Sequence, residues 1–306
     1  MTNAPAMIGP ELESRLDWLA LTEALITGHT RAQAELADVF LTRGGDTLLS
    51  RAALIDGLGS LVKTATVFPG NPGQGLPAVN GSGSLFDDAT GRLEAIVDFH
   101  LLTKWKTAGD SLLAARLLAR PDAQAITLVG AGTVARSMAS AYRRVFPDAR
   151  FTIWSRTGAS ALALADEVGA EATADLAAAV RGADIICTAT LSKEPLIRGD
   201  WLRPGQHLDL IGAFRADMRE VDDDALRRAR IFVDSRETTI GHIGELKDPI
   251  ARGVISPGDV VADYYDIAAG RFARSSAEEI TLAKNGGGAH LDLMTARYML
   301  ECSLSA

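Results

Sequence analysis

The chain has 306 residues, enough for two domains with sizeable cores. With 47% hydrophobic and 23% charged residues, its make-up is that of a soluble globular protein. A net charge of −8, with no basic cluster to offset it, argues against nucleic acid or an anionic membrane as partner. The two cysteines, Cys187 and Cys302, are too few for a disulfide framework or a cysteine-rich metal site. No signal peptide, bilayer-length apolar run, internal repeat or low-complexity tract is read, so the expected location is the cytoplasm.

In chain order, Leu12, Leu16, Leu19 and Ala20 fall at helical spacing over residues 12–26, and Gly28 is the expected helix stop. His29 follows in the turn and reads as structural or solvated. Residues 39–50 predict a β-hairpin around Arg43-Gly44-Gly45-Asp46. Residues 61–68 predict another strand, broken by Pro69-Gly70-Asn71-Pro72-Gly73. Residues 78–86 and 94–99 read as paired strands. The first part is therefore a mainly antiparallel sheet with one leading helix. An Ala- and Leu-rich helix over residues 103–119, stopping before Pro121, carries the chain into a second domain.

That second domain is organised around residues 126–156. A buried strand from Ile126 to Val129 passes into Gly130-Ala131-Gly132-Thr133-Val134-Ala135, then a helical pattern, then a second buried strand ending at Trp154. Strands on both sides turn this G-x-G-x-x-A run into a dinucleotide site. Gly130 permits the tight turn, Gly132 lets backbone approach a pyrophosphate, and Ala135 keeps helix close to strand. The helix N-terminus, at Thr133 and Val134, offers free N–H groups to phosphate. Where NAD sites place an acid, this chain has Ser155-Arg156-Thr157. A guanidinium and two hydroxyls suit a 2′-phosphate, which favours NADPH, with NADH possible. Short strands at residues 183–188, 207–211 and 231–233 extend a doubly wound parallel sheet. Thr188 and Thr190, at a strand's carboxyl end, are expected to face the cofactor, and Gly212 to let the nicotinamide come close. Asp234 either caps a helix or touches ligand.

Residues 276–284 are read as the start of a return helix, residues 285–288 as a flexible glycine joint, and residues 290–304 as an amphipathic final helix packing on the first domain. The expected organisation is α/β. A mainly antiparallel α+β substrate-binding and dimerisation domain (1–120) is rejoined by a C-terminal helix (285–306). A Rossmann-type doubly wound domain (121–284) lies between.

Two lysines stand out. Lys63 lies in the apolar strand LVKTATVF, where burial would lower its pKa and suit proton donation or carboxylate binding. The other reading is an edge-strand lysine whose stem merely covers apolar surface. Lys106 follows Lys104 and Trp105 on the connecting helix, and Asp110 four residues later either pairs with it or orients it. Trp105, Tyr264 and Tyr265 read as packing.

Several of these residues together resemble the ornithine cyclodeaminase/mu-crystallin family nearly end to end. The motifs are Val62-Lys63 through Phe68-Pro69-Gly70-Asn71-Pro72 to Gly75-Leu76-Pro77, then Asp88 to Gly91. They continue with Thr107-Ala108 and Ser111, Gly130 to Ala135, and Glu278 to Lys284. The resemblance implies a homodimer built through the first domain and an active site to which both domains contribute. It also implies a nicotinamide cofactor and α-amino acids, or related imines and keto acids, as substrates. Two positions depart from the family pattern. Lys106 stands where the family carries an arginine for the substrate carboxylate, so the anchor is a point charge that Arg51 could assist. Phe214 stands where cyclodeaminases carry an aspartate, and the Arg215-x-Asp217 spacing is closer to the mu-crystallin branch of ketimine reductases.

A phenyl ring cannot act as base. The favoured reading is therefore an NAD(P)H-dependent reductase of small cyclic imine carboxylates such as Δ1-pyrroline-2-carboxylate, giving L-proline-type products. Lys63 and Lys106 are its catalytic candidates, and Arg51 joins them in binding substrate. Rival readings are an ornithine cyclodeaminase, an alanine-dehydrogenase-like amino-acid dehydrogenase, or a non-enzymatic lens protein or hormone binder.

Overall fold

The computed structural model describes residues 4–305. The chain forms two compact units, one of Met1–Lys106 with Gly288–Ala306 and one of Thr107–Gly287. In the first unit a short strand β1 (Ala6–Ile8) leads through a 3-10 turn into α1 (Trp18–His29). The Asp17 carboxylate caps this helix by accepting the Ala20 N–H at 3.0 Å. Gly28 does not stop the helix: it lies inside it, where a Cβ would meet Met294 Sδ at 2.4 Å. His29 is the last helical residue and is buried.

Five longer strands follow: β2 (Glu35–Arg43), β3 (Asp46–Ile55), β4 (Gly59–Val67), β5 (Val79–Phe86) and β6 (Leu93–Asp98). The β2–β3 hairpin turns at Gly44-Gly45, with Gly44 at φ +59°. The sheet runs β1-β6-β5-β4-β3-β2, antiparallel except that β1, absent from the sequence reading, pairs parallel with β6. Helix α2 (Phe99–Leu118) begins in the first unit and ends in the second.

The second unit alternates strand and helix: β7 (Ala125–Val129), α3 (Thr133–Val145), β8 (Arg150–Trp154), α4 (Gly158–Val168), β9 (Glu171–Ala172), α5 (Leu176–Gly182), β10 (Ile185–Thr188) and β11 (His207–Leu210). It continues with α6 (Asp223–Arg228), β12 (Ala229–Val233), α7 (Arg236–Thr239), α8 (Gly244–Ala251), β13 (Val260–Ala262) and β14 (Ile280–Lys284). All eight strands are parallel, in the order β13-β12-β14-β11-β10-β7-β8-β9. Apolar side chains from these strands, among them Val129, Ile186, Leu208, Ile231 and Leu282, fill the core. Because β7 pairs with β8 on one side and β10 on the other, the strand order reverses at β7. In open sheets of this kind ligands bind at the carboxyl ends beside such a reversal.

The return helix expected over residues 276–284 is instead strand β14, which lies between β11 and β12. Every residue from Ile280 to Lys284 is buried, whereas a surface helix would keep a polar face. The polar residues that suggested a helix precede the strand, where Glu279 bonds Ser275 Oγ at 2.7 Å and Arg230 at 2.9 Å. The glycine joint is also held rather than loose. Asp234 Oδ2 accepts the N–H groups of Gly286 at 2.9 Å and Gly287 at 2.5 Å. The chain then enters α9 (Ala289–Leu304), which packs against α1, β3 and β4 and is buried around most of its circumference. Among the described residues, no helix is long and apolar enough to cross a membrane.

Candidate functional site

In β4 the period-two alternation buries Leu61, Lys63 and Ala65 and turns Val62 outward. Lys63 lies in a cross-strand row, with Arg51 its neighbour on β3, Asp38 beyond it on β2, and Gly83 on the other side. Helix α9 covers this face and brings Asp292 to the lysine, Nζ donating to Oδ1 at 2.8 Å. Lys63 is 6% exposed and Asp292 wholly buried. The Phe99 ring lies 5.0 Å from the same ammonium. Arg51 donates to both oxygens of Asp38, at 3.2 and 2.6 Å, which holds its guanidinium in plane. Lys106 is 8% exposed, whereas Lys104 reaches outward to pair with Glu13. Trp105 stacks on Trp18 at 3.7 Å.

Burial lowers the Lys63 pKa; Asp292 opposes that shift, and Lys106 and Arg51 add to it. Burial pushes Asp292 up, but the charges of Lys63, Lys106 and Arg51 more than reverse this and hold its pKa below the usual range. Burial, with His29, Lys106 and Arg51, holds His290 neutral, its pKa well below the ordinary imidazole value. The arrangement gathers three cations around one buried carboxylate. Breaking such a buried pair by removing one partner costs about 3–5 kcal/mol. The sequence reading named Lys63, Lys106 and Arg51 but missed Asp38 and Asp292. An acid inside the apolar run His290-Leu291-Asp292-Leu293-Met294 was the available signal.

In the second unit the dinucleotide turn has the expected form. Gly130 sits at φ +124°, and a Cβ there would meet the Ala189 carbonyl oxygen at 2.6 Å. Gly132 faces open space, and α3 begins at Thr133 with no side chain capping its N-terminus. Val134 follows in the first turn, while Ala135 is buried against the sheet. Ser155, Arg156 and Thr157 follow β8 at the start of α4, whose N-terminus is likewise free of a side-chain cap. Arg156 and Thr157 are exposed. A bare backbone turn, two uncapped helix ends and an exposed arginine fit a phosphorylated dinucleotide.

Thr188 is wholly buried at the end of β10. Thr190 and Gly212, expected beside a cofactor, are both tied to Glu220, a residue the sequence reading did not single out. Asp234 caps neither helix nor ligand alone: besides the glycine joint it accepts Ser235 N–H at 2.8 Å and Thr239 Oγ1 at 2.7 Å. The Tyr264 hydroxyl is shared between the Asp110 carbonyl at 2.7 Å and its carboxylate at 2.9 Å. Phe214 is 56% exposed with Arg215 against its ring, and Arg215 also holds Asp217 at 2.9 Å. Ser111, one of the resemblance motifs, is internal and accepts from Asn285 Nδ2 at 3.3 Å.

Residues 52–306 match the ornithine cyclodeaminase/mu-crystallin family. The chain belongs to that family. Within it, the chain is 52% identical over 292 residues to the Delta(1)-pyrroline-2-carboxylate reductase of Paracoccus denitrificans, covering 93% of this chain and 92% of that one. Its fold matches Thermococcus litoralis Delta(1)-pyrroline-2-carboxylate reductase in complex with NADH and L-proline. That match has a TM-score of 0.88 and 26% identity over 98% of each chain. It also matches an archaeal alanine dehydrogenase dimer with bound NAD at TM-score 0.88, with 28% identity over 98% of this chain and 96% of that one.

Among the buried acids of the second unit, Glu245 on α8 accepts the N–H groups of Glu220 at 2.7 Å and Val221 at 3.1 Å. Burial, then the charge of Glu220, push its pKa from 4.5 to about 7; Lys284 and the two N–H donors oppose this only in part. The folded protein thus keeps a proton that the unfolded chain loses between about pH 4.5 and 7. Stability from this group is full at low pH and falls as pH rises through that window. In a comparison of thermal midpoint against pH, Glu245→Gln should show a shallower fall between pH 5 and 8 than the unaltered protein. Parallel curves would show that Glu245 does not titrate there.

Proposed function

We propose that the protein is an oxidoreductase of C=N bonds that reduces a small cyclic imine carboxylate of the Δ1-pyrroline-2-carboxylate type to the corresponding L-amino acid. The observation that carries this reading is the 52% identity, over 93% of the chain, to a reductase of that substrate. A bound nicotinamide dinucleotide would supply the hydride. The chain's own residues have three tasks: anchor a carboxylate, protonate a nitrogen and hold phosphates.

The imine carbon gains hydride while its nitrogen gains a proton. Lys63 is the group suited to give that proton: it is buried, its pKa is lowered, and Asp292 fixes its ammonium. Lys106 and Arg51 provide the positive charge for the substrate carboxylate, with Asp38 orienting Arg51. Lys106 is a point charge, so the planar grip belongs to Arg51. Phe214 offers no carboxylate to act as a base or to pair with an ammonium group, which counts against an ornithine cyclodeaminase. The pyrroline-2-carboxylate reductase and alanine dehydrogenase relatives carry NADH and NAD. Here the exposed Arg156 with Ser155 and Thr157, at the uncapped start of α4, favours NADPH over NADH.

The working form is a homodimer; the archaeal alanine dehydrogenase relative is likewise a dimer. Its basis here is an uncovered apolar surface on β2, β3 and β4. Val39, Leu41, Leu48, Leu54 and Val62 all point to the face opposite Lys63 and are at least 36% exposed. Substrate class, cofactor and assembly thus rest on separate features of the molecule.

The purified protein should consume NADPH when given Δ1-pyrroline-2-carboxylate; ammonia release from ornithine with no loss of NADPH would overturn the reading. Lys63→Ala should lower kcat by roughly three orders of magnitude, the middle of the range of acid–base effects, and leave NADPH affinity intact. Because that change strands Asp292, Lys63→Met with Asp292→Asn serves as the paired control, and near-normal turnover in either would exclude the assigned role. Arg156→Ala should weaken NADPH by about tenfold or more while changing NADH little; equal losses, measured as KM for each cofactor, would show that the arginine does not read the 2′-phosphate.

A further inference from the structure

Glu220 is wholly buried and lies outside any helix, just before α6. Its carboxylate accepts four hydrogen bonds. Oε1 takes the Thr190 N–H at 2.9 Å and the Thr190 hydroxyl at 2.7 Å. Oε2 takes the N–H groups of Gly212 at 2.9 Å and Ala213 at 3.0 Å. The two segments joined in this way follow β10 and β11, at the carboxyl ends where an open parallel sheet binds its ligand.

Further contacts make Glu220 a junction rather than a passenger. Its own N–H donates to Glu245 Oε2 at 2.7 Å, and its carbonyl accepts from Leu196 at 2.9 Å and Ile197 at 3.0 Å. The clamp pulls the loops so close that a Cβ on Gly212 would lie 2.2 Å from Thr190 N and 2.3 Å from Glu220 Oε1. The same β10 loop abuts the dinucleotide turn, because a Cβ on Gly130 would meet the Ala189 carbonyl oxygen. One carboxylate therefore ties Thr190 to Gly212 and Ala213, and its four bonds include none to the Gly130 turn itself. Neither glutamine nor aspartate can replace it in kind. An amide turns its NH2 toward one pair of donors and leaves them unpaired, while aspartate is one methylene too short.

We infer that Glu220 is the positioning residue that sets the nicotinamide end of the cofactor site, fixing the β10 and β11 loops without touching the dinucleotide itself. This rests on the nicotinamide reading given under the proposed function. The adenosine end, held by the α3 and α4 N-termini with Arg156, depends on other residues. The two ends should then separate in a binding experiment.

Calorimetry would compare NADPH with 2′-phospho-ADP-ribose, which lacks the nicotinamide. In Glu220→Gln the fragment should bind within about twofold of its affinity for the unaltered protein. NADPH should lose about tenfold or more, and kcat should fall with it. Retained fragment binding also shows that the second unit is folded. If Glu220→Gln cannot be obtained folded, Thr190→Val, which removes one of the four donors, should show the same split at about two- to fivefold. Equal weakening of fragment and NADPH, or no weakening of NADPH, overturns the assignment in either variant. Failure of the unaltered protein to bind both probes overturns it together with the cofactor reading, whereas normal binding there with an unsplit variant overturns it alone.

Discussion

The first unit depends on one interaction, the buried ion pair between Lys63 and Asp292. Two charges removed from water repay that cost only with close contact and good geometry, which the 2.8 Å bond supplies. The partners lie 229 positions apart in sequence, so the pair exists only when α9 is seated on β4. Once formed, it fixes the ammonium and draws Lys106 and Arg51 into a shared field. A lysine that would otherwise snorkel to solvent is held buried with a lowered pKa.

The second unit uses buried acids differently, as anchors for backbone. Asp234 collects the N–H groups of Gly286, Gly287 and Ser235, and Glu220 those of Thr190, Gly212 and Ala213. Loops at the carboxyl ends of strands have no ladder partners for these groups, and an internal carboxylate satisfies several at once. Asp209 differs from these two, because its partners are side chains. It takes the Tyr142 hydroxyl, and burial raises its pKa to about 6 against the opposing hydrogen bonds and the charge of Lys284. Lys284 itself is fully buried and spends its ammonium on the Leu210 and Asn285 carbonyls.

This division explains the two kinds of family motif. The Gly130–Ala135 turn leaves open space at Gly132 and an uncapped helix N-terminus. Ser111 and the Ile280–Lys284 part of the closing motif are internal, and they hold strands and loops in register. A motif can therefore be diagnostic of the family without any of its side chains meeting substrate.

The sequence alone determined the local features: the G-x-G-x-x-A turn between two strands, the hairpin at Gly44-Gly45, the apolar strand that carries Lys63 and the arginine after β8. Each is legible because turn chemistry and apolar periodicity act within a few residues. The tertiary structure decided what depends on distant partners. Residues 280–284 form a central strand because β11 and β12 leave a place for them, although the polar run before them suggested a helix. Gly28 stays inside α1 because Met294 packs over it, and the glycine joint is held because Asp234 reaches it from the end of β12. Asp292 and Glu220 look like ordinary acids in the sequence. Their importance comes from partners supplied by remote segments: the apolar run around Asp292 hints at its burial, but the pairing of either acid has no local signature.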